Sequence, residues 1–171
     1  TSAASSQTIS IQTATDTVEE NSETYAVNLT GASVGSIAEP TADTTIIDET
    51  NGLQWRIDPD STVNEGDVAT YTVSYSGATL DNDVTAYITV DAHSGVDPNA
   101  ADEGTDFSDY PATVLTFIGG QPTSQTISIQ TTTDTVEENS ETYNVAITGA
   151  SVGTIAEPTA DTTIIDETNS L

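Results

Sequence analysis

The stretch Asp134-Thr-Val-Glu-Glu138-Asn-Ser-Glu141 places four carboxylates within eight residues. Carboxylates at that density either pass protons or hold a hard cation. Proton transfer of the glycosidase kind would use Glu137, Glu138 or Glu141, one of them with a raised pKa beside an aromatic sugar platform. The chain has only one Trp, six Tyr and two Phe, most of them on strand faces. His93, between Asp91 and Ser94, offers the residue types of a hydrolytic triad. A triad needs a base held by an orienting group beside a nucleophile, however, and a lone loop histidine reads as an exposed side chain. There is no EF-hand loop, P-loop or G-x-G-x-x-G. The Asn28-Leu29-Thr30 sequon has Ala146 at the matching place in a second copy of the segment, so it is read as chance. The chain is expected not to be an enzyme.

The acids extend through the whole sequence. There are 28 Asp and Glu against a single Arg, Arg56, and no Lys, for a formal net charge of −27 and a pI near 4.1. A phosphate backbone is bound through Lys and Arg, so no nucleic-acid partner is expected. An anionic membrane surface is disfavoured on the same ground. No run of 18 apolar residues and no basic-then-apolar leader is present, so no membrane insertion is expected and any export signal lies elsewhere. Zero Cys leaves the compartment open. So much like charge strains a compact state unless it is neutralised. Solubility or a salty habitat would account for it as well as cation binding does, and the position of the acids must decide.

A repeat supplies that position. Residues 7–51 recur as 125–169 and differ at five of 45 places: Ala14/Thr132, Ala26/Asn144, Asn28/Ala146, Leu29/Ile147 and Ser36/Thr154. The period suits one globular domain per repeat. The chain is therefore read as residues 1–50, the latter part of one repeat, followed by a complete repeat over 53–169.

Alternation with period two and abundant β-branched residues predict strands at 53–64, 68–76, 84–90, 113–118, 125–131, 141–148 and 161–166. Seven such strands suggest an all-β, antiparallel, immunoglobulin-like sandwich. Parity then sorts the loops. One pole receives Glu65 and Asp67, the acids between 91 and 109, those between 134 and 141, and Asp166 with Glu167, fourteen carboxylates in all. The other receives only Asp81, Asp83, Glu157 and Asp161. Carboxylates crowded at one pole raise each other's pKa or require a counter-charge. Oxygen ligands from several loops, without His or Cys, suit Ca²⁺ rather than zinc or copper.

The run Asp134 to Tyr143 resembles the D-x-x-x-E-x-x-E-x-F segment of Calx-β domains, with Tyr for the usual Phe. Val63-Asn-Glu65-Gly66 is similar to the family's V-x-E-G, Gly104-Thr-Asp106-Phe107 to its G-x-D-[YF], and Leu115-Thr-Phe117-Ile-Gly-Gly120 to its L-x-F-x-x-G. Thr163-Ile-Ile-Asp166-Glu167 matches its closing strand and acidic stop. The resemblance covers about 53–167, with 7–49 as the latter part of a previous copy. It implies a calcium-binding sandwich of the kind found in sodium/calcium exchangers, an integrin tail and repetitive bacterial surface proteins. By resemblance the ligands are Glu65, Asp91, Asp106, Asp134, Glu138 and Asp166, with Asp16, Glu20 and Asp48 as equivalents in the first repeat. The richest family sites carry runs of two or three Asp where Thr133-Asp134-Thr135 stands here, which implies fewer or weaker ions.

Near-identical copies, no Cys and extreme acidity favour an extracellular, cell-surface array over an exchanger sensor. The expected function is a spacer repeat of an adhesin, stiffened by Ca²⁺ against neighbouring repeats of the same chain. A calcium-sensing module and a glycan-binding module are the alternatives. Residues 1–50 lack the strands that should cover Ile9, Ile11, Tyr25, Val27 and Leu29, so self-association through this incomplete repeat is expected, fold-back onto the complete repeat being the other possibility.

Overall fold

The protein's structure, a computed structural model, describes residues 6–48, 52–59, 61–95 and 99–166. The linker residues 49–51, Asp97 and Glu167, used above to set the boundary and the acidic pole, lie outside them.

Strict alternation makes the strands. In Val68–Ser76, Ala69, Tyr71, Val73 and Tyr75 point inward and the residues between them outward. Thr85–Ser94 does the same with Ala86, Ile88, Val90 and Ala92. Among the described residues there is no helix, and thirteen strands form. They are β1 (Val18–Glu19), β2 (Glu23–Asn28), β3 (Thr41–Ile46), β4 (Gln54–Asp58), β5 (Ser61–Asn64), β6 (Val68–Ser76), β7 (Thr79–Leu80), β8 (Thr85–Ser94), β9 (Thr113–Ile118), β10 (Ser124–Gln130), β11 (Glu141–Ala150), β12 (Thr154–Glu157) and β13 (Thr159–Ile165).

Two sheets enclose the core, one in the order β10-β6-β4-β12 and the other β5-β13-β11-β8-β9. The count departs from the seven strands expected, and so does the uniform antiparallel pairing. The first expected strand divides at Pro59: β4 joins one sheet antiparallel to β6 and parallel to β12, and β5 joins the other parallel to β13. Proline offers no amide to a ladder, which suits a crossing from sheet to sheet. β8 also runs on past Val90, because its ladder with β11 continues through Asp91↔Ala146 to Ser94↔Tyr143. Asp91 is therefore a strand residue and not a loop residue as expected.

The core lies wholly within residues 53–164. Trp55 meets Tyr75 and Phe117 edge-on, with centroids 5.0 and 4.8 Å away, and its indole N–H donates to the Val152 carbonyl at 2.7 Å. Toward the other end Phe107 stacks on Tyr143 at 4.2 Å. The Tyr71 hydroxyl donates to Tyr143 at 2.8 Å and also meets Thr162, which bonds Ser61, so the buried hydroxyls form one chain.

The first copy reproduces part of this. β2 and β3 pair from Glu23↔Ile46 to Asn28↔Thr41, the register in which β11 and β13 pair from Glu141↔Ile164 to Ala146↔Thr159. Residues 6–16, matching β10 and the loop after it, form no strand. β10 is a strand because β6 lies beside it, and residues 6–16 have no strand paired to them among the described residues. Ile9 and Ile11 are 69 % and 52 % exposed where Ile127 and Ile129 are 6 % and 1 %. Residues 17–21 instead lie along 79–83 of the complete repeat.

Candidate metal centre

Glu65 follows β5 in a tight turn whose next residue, Gly66, has φ +78°. A Cβ there would fall 2.5 Å from the Thr133 methyl, so a side chain is excluded both by conformation and by space. The turn is tied to the segment after β10: Thr131 Oγ1 donates to the carbonyls of Asn64 at 3.0 Å and Asp67 at 2.9 Å, and Gln130 Nε2 donates to that of Gly66 at 2.7 Å. These bonds bring Glu65 beside Asp134.

Asp106 arrives on the loop between β8 and β9. Phe107, buried under Tyr143, bridges to Thr131, the Thr132 amide donates to the Asp106 carbonyl at 2.9 Å, and Ser108 N–H donates to Gln130 at 2.8 Å. The Asp106 carboxylate accepts from the Asp102 amide at 2.6 Å. Glu141 is the first residue of β11 and half-buried. Asp166, just past β13 and 7 % exposed, accepts from the Glu138 amide at 2.9 Å, while Asp134 accepts from the Val136 amide at 2.7 Å. Four loops thus converge, each fixed by backbone bonds.

The result is two groups of three carboxylates, Glu65–Asp134–Glu138 and Asp106–Glu138–Glu141, in each of which the oxygens lie within 4.8 Å of one another. Glu138 belongs to both. Burial first, then Asp106 and its hydrogen bond, then Glu138 and Asp102, push Glu141 up to about 7. Burial also raises Glu65, with Asp166, Asp134 and Glu138 adding to the shift against a lowering backbone bond from Asp134. Glu138 is raised by desolvation and by Asp134, Asp106 and Asp166. No protein cation answers this charge: Arg56 is bound to Asp58 and Glu157, away from the cluster. Two oxygens each about 2.4 Å from one ion can be at most about 4.8 Å apart, so both groups fit the reach of Ca²⁺, and all-oxygen ligands from mobile side chains suit its coordination. Bound there, a divalent cation would neutralise the clustered carboxylates; Glu65, Asp134, Asp106, Glu138 and Glu141 would hold it, and Asp166 would set the backbone of Glu138.

Of the residues singled out from sequence, Glu65, Asp106, Asp134 and Glu138 meet in these groups, and Asp166 joins through the Glu138 amide. Asp91 does not; its carboxylate faces His93 Nε2 at 3.5 Å on β8. In the first copy the Val18 amide donates to Asp16 at 2.9 Å and the Glu20 amide to Asp48 at 3.0 Å, the same local bonds as in the second. Glu141 was not among the expected ligands. The signal for it was its place three residues after Glu138 at the mouth of an alternating strand.

The Calx-beta domain model matches residues 2–50 and 57–168. Among solved structures, an apo-form Calx CBD1 domain is 25 % identical with a TM-score of 0.57, over 67 % of this chain and 97 % of that one. CBD12 from CALX1.2 is 24 % identical with a TM-score of 0.57, over 67 % of this chain. The calcium binding domain CBD12 of CALX1.1 is 23 % identical with a TM-score of 0.55, over 68 %. The match spans 46 % and 44 % of those two longer chains. No curated protein matches significantly. A match over nearly its whole length, from a calcium-binding module family, together with the paired carboxylate groups, makes this chain a member of the Calx-β domain family.

Proposed function

We propose that this chain is a calcium-binding spacer from a cell-surface adhesin, in which Ca²⁺ stiffens a tandem array of Calx-β repeats outside the cell. The observation that carries the reading is the convergence of four loops on two carboxylate groups sharing Glu138, within a module repeated at 40 of 45 positions and lacking any Lys. Such a centre is a point of electrostatic strain until a cation fills it, so the ion adds its restraint to loops already tied by their hydrogen bonds. A spacer needs no catalytic group.

A calcium sensor is the second reading, favoured by the likeness to the Calx CBD1 domain. The two differ in affinity: a spacer in millimolar extracellular calcium is served by sites of about 10⁻⁴–10⁻³ M, a sensor by sites of about 10⁻⁷–10⁻⁵ M. Calorimetric titration of the full chain, with X-ray scattering on the same samples, separates them. The spacer reading expects weak sites and a narrower, more extended distance distribution in calcium. Micromolar sites with a shape change would assign the sensor, and no heat of binding would remove both. The scattering mass also reads self-association, which the exposed Ile9, Ile11 and Leu29 of the first copy promote.

A further inference from the structure

Asp16–Ser22 and Asp134–Ser140 have identical sequences but different surroundings. The first lies against the complete repeat, β1 running parallel to β7. The Thr79 amide donates to the Thr17 carbonyl at 3.4 Å, the Asp81 amide to that of Glu19 at 3.0 Å, and Asn21 Nδ2 to the Asp83 carbonyl at 3.3 Å. The second is folded the same way: Asp134 caps Val136 as Asp16 caps Val18, and Asp166 holds Glu138 as Asp48 holds Glu20. It stands at the far end of β6 from residues 79–83, with Val136 57 % exposed.

We infer that Thr135–Asn139 is a docking edge for the 79–83 turn of another repeat of this sequence, so that the junction formed once inside this chain recurs from copy to copy. Thr135 and Glu137 correspond to Thr17 and Glu19, and Asn139 to Asn21, so a turn that recognises one segment can recognise the other. The link between copies fits as well. Gly52 lies so close to Gly77 that a Cβ on Gly77 would meet the Gly52 carbonyl at 2.1 Å. The residue matching Gly52 at the next junction is Ser170, and a Cβ at position 52 comes no nearer than 3.4 Å to the Gly77 carbonyl. Repetition of one head-to-tail contact that does not close on itself produces a filament of fixed screw, and strand addition at an edge is an established way to build it. Acids line both sides, Asp81 adding to the raising of Glu20 after burial, Asp16 and Glu23. The contacts of the junction stand without an ion; only its stiffening by calcium rests on the calcium reading.

The test is amide hydrogen exchange by NMR, in the full chain and in one continued from Leu171 by a further copy of residues 54–169 carrying the only nitrogen-15 label. In the full chain the Thr79 and Asp81 amides should exchange slowly, by about tenfold or more against an open amide. Their counterparts in the added copy should be slowed equally. Free exchange there, while the added copy's own β6 amides stay protected, overturns the inference without ambiguity from misfolding. Protection that persists in chelator supports the junction and removes calcium as its stiffener. Loss of protection in both conditions, with calorimetric binding intact, removes the junction and leaves the metal centre standing.

Discussion

Glu138 is fixed by its neighbours' backbone bonds more than by burial. Its side chain is exposed, yet its amide is held by Asp166 and its carboxylate lies within reach of both other pairs of acids. A residue shared by two groups should matter to both. Glu138→Gln keeps the shape and removes the charge, and it should weaken calcium binding more than Glu65→Gln or Glu141→Gln, each of which touches one group. The expected loss is at least about tenfold, since removing even an outer partner costs a metal site that much. Asp91→Asn, on the side of β8 that faces His93, should leave the affinity unchanged. Calorimetry on the full chain checks all four; equal losses at Asp91 and Glu138 would place the ion elsewhere.

At the scale of elements, the centre depends on how the turn after β5 is stitched to the segment after β10. Thr131, fully buried, makes that seam with its hydroxyl and its amide. Thr131→Val keeps the shape but removes the hydroxyl bonds to the Asn64 and Asp67 carbonyls, which retain the Asp67 and Thr131 amides as donors, so it should cost only about 0.5–1.5 kcal/mol and lower calcium affinity together. Denaturant unfolding with and without calcium reads both; a lost affinity with unchanged stability in chelator would mean the hydroxyl acts on the ion and not on the seam. Sequence made much of this framework visible. Period-two alternation placed Val68–Ser76 and Thr113–Ile118 at their observed ends, because both lie between a buried face and an open one. It could not show β7 or β12, which are strands only through the register of a neighbour. It stopped the strand from 84 at Val90, since Asp91 and His93 look like loop residues unless β11 is known to continue beside them. It treated Ile9 and Ile11 as the inner face of a strand like Ile127 and Ile129 in 125–131, although the pattern makes a strand only when β6 is present to pair with it. The metal groups were legible as an acidic pole, but which acids touch is set by Phe107 and Thr131 pulling loops together, and no spacing encodes that.

The whole molecule carries 28 acidic side chains against a single Arg, so its stability should depend on protons and calcium in opposite senses. In the calcium-free fold Glu65, Glu138 and Glu141 titrate above an ordinary carboxylate, Glu141 near 7, chiefly because burial disfavours the charged form and neighbouring acids add to it. A group whose folded pKa lies above its unfolded value holds a proton in the fold that the unfolded chain has released. Its stabilising effect is full below the unfolded value, about 4.5, and is lost as pH rises through the folded value. Without calcium the melting temperature should therefore fall between about pH 4.5 and 7, and the general repulsion of the ionising acids acts in the same direction. With calcium the sign reverses, because the ion binds the deprotonated carboxylates and stabilises the fold by mass action, about 2.7 kcal/mol per site at 100 times its dissociation constant. The gap between the two melting curves should be small near pH 4.5 and widest above pH 7. Thermal unfolding of the full chain at several pH values, in calcium and in chelator, tests this. Curves that rise in parallel with pH would show that the clustered carboxylates are already stabilised as anions by the protein itself, which leaves calcium no electrostatic role in holding the loops together.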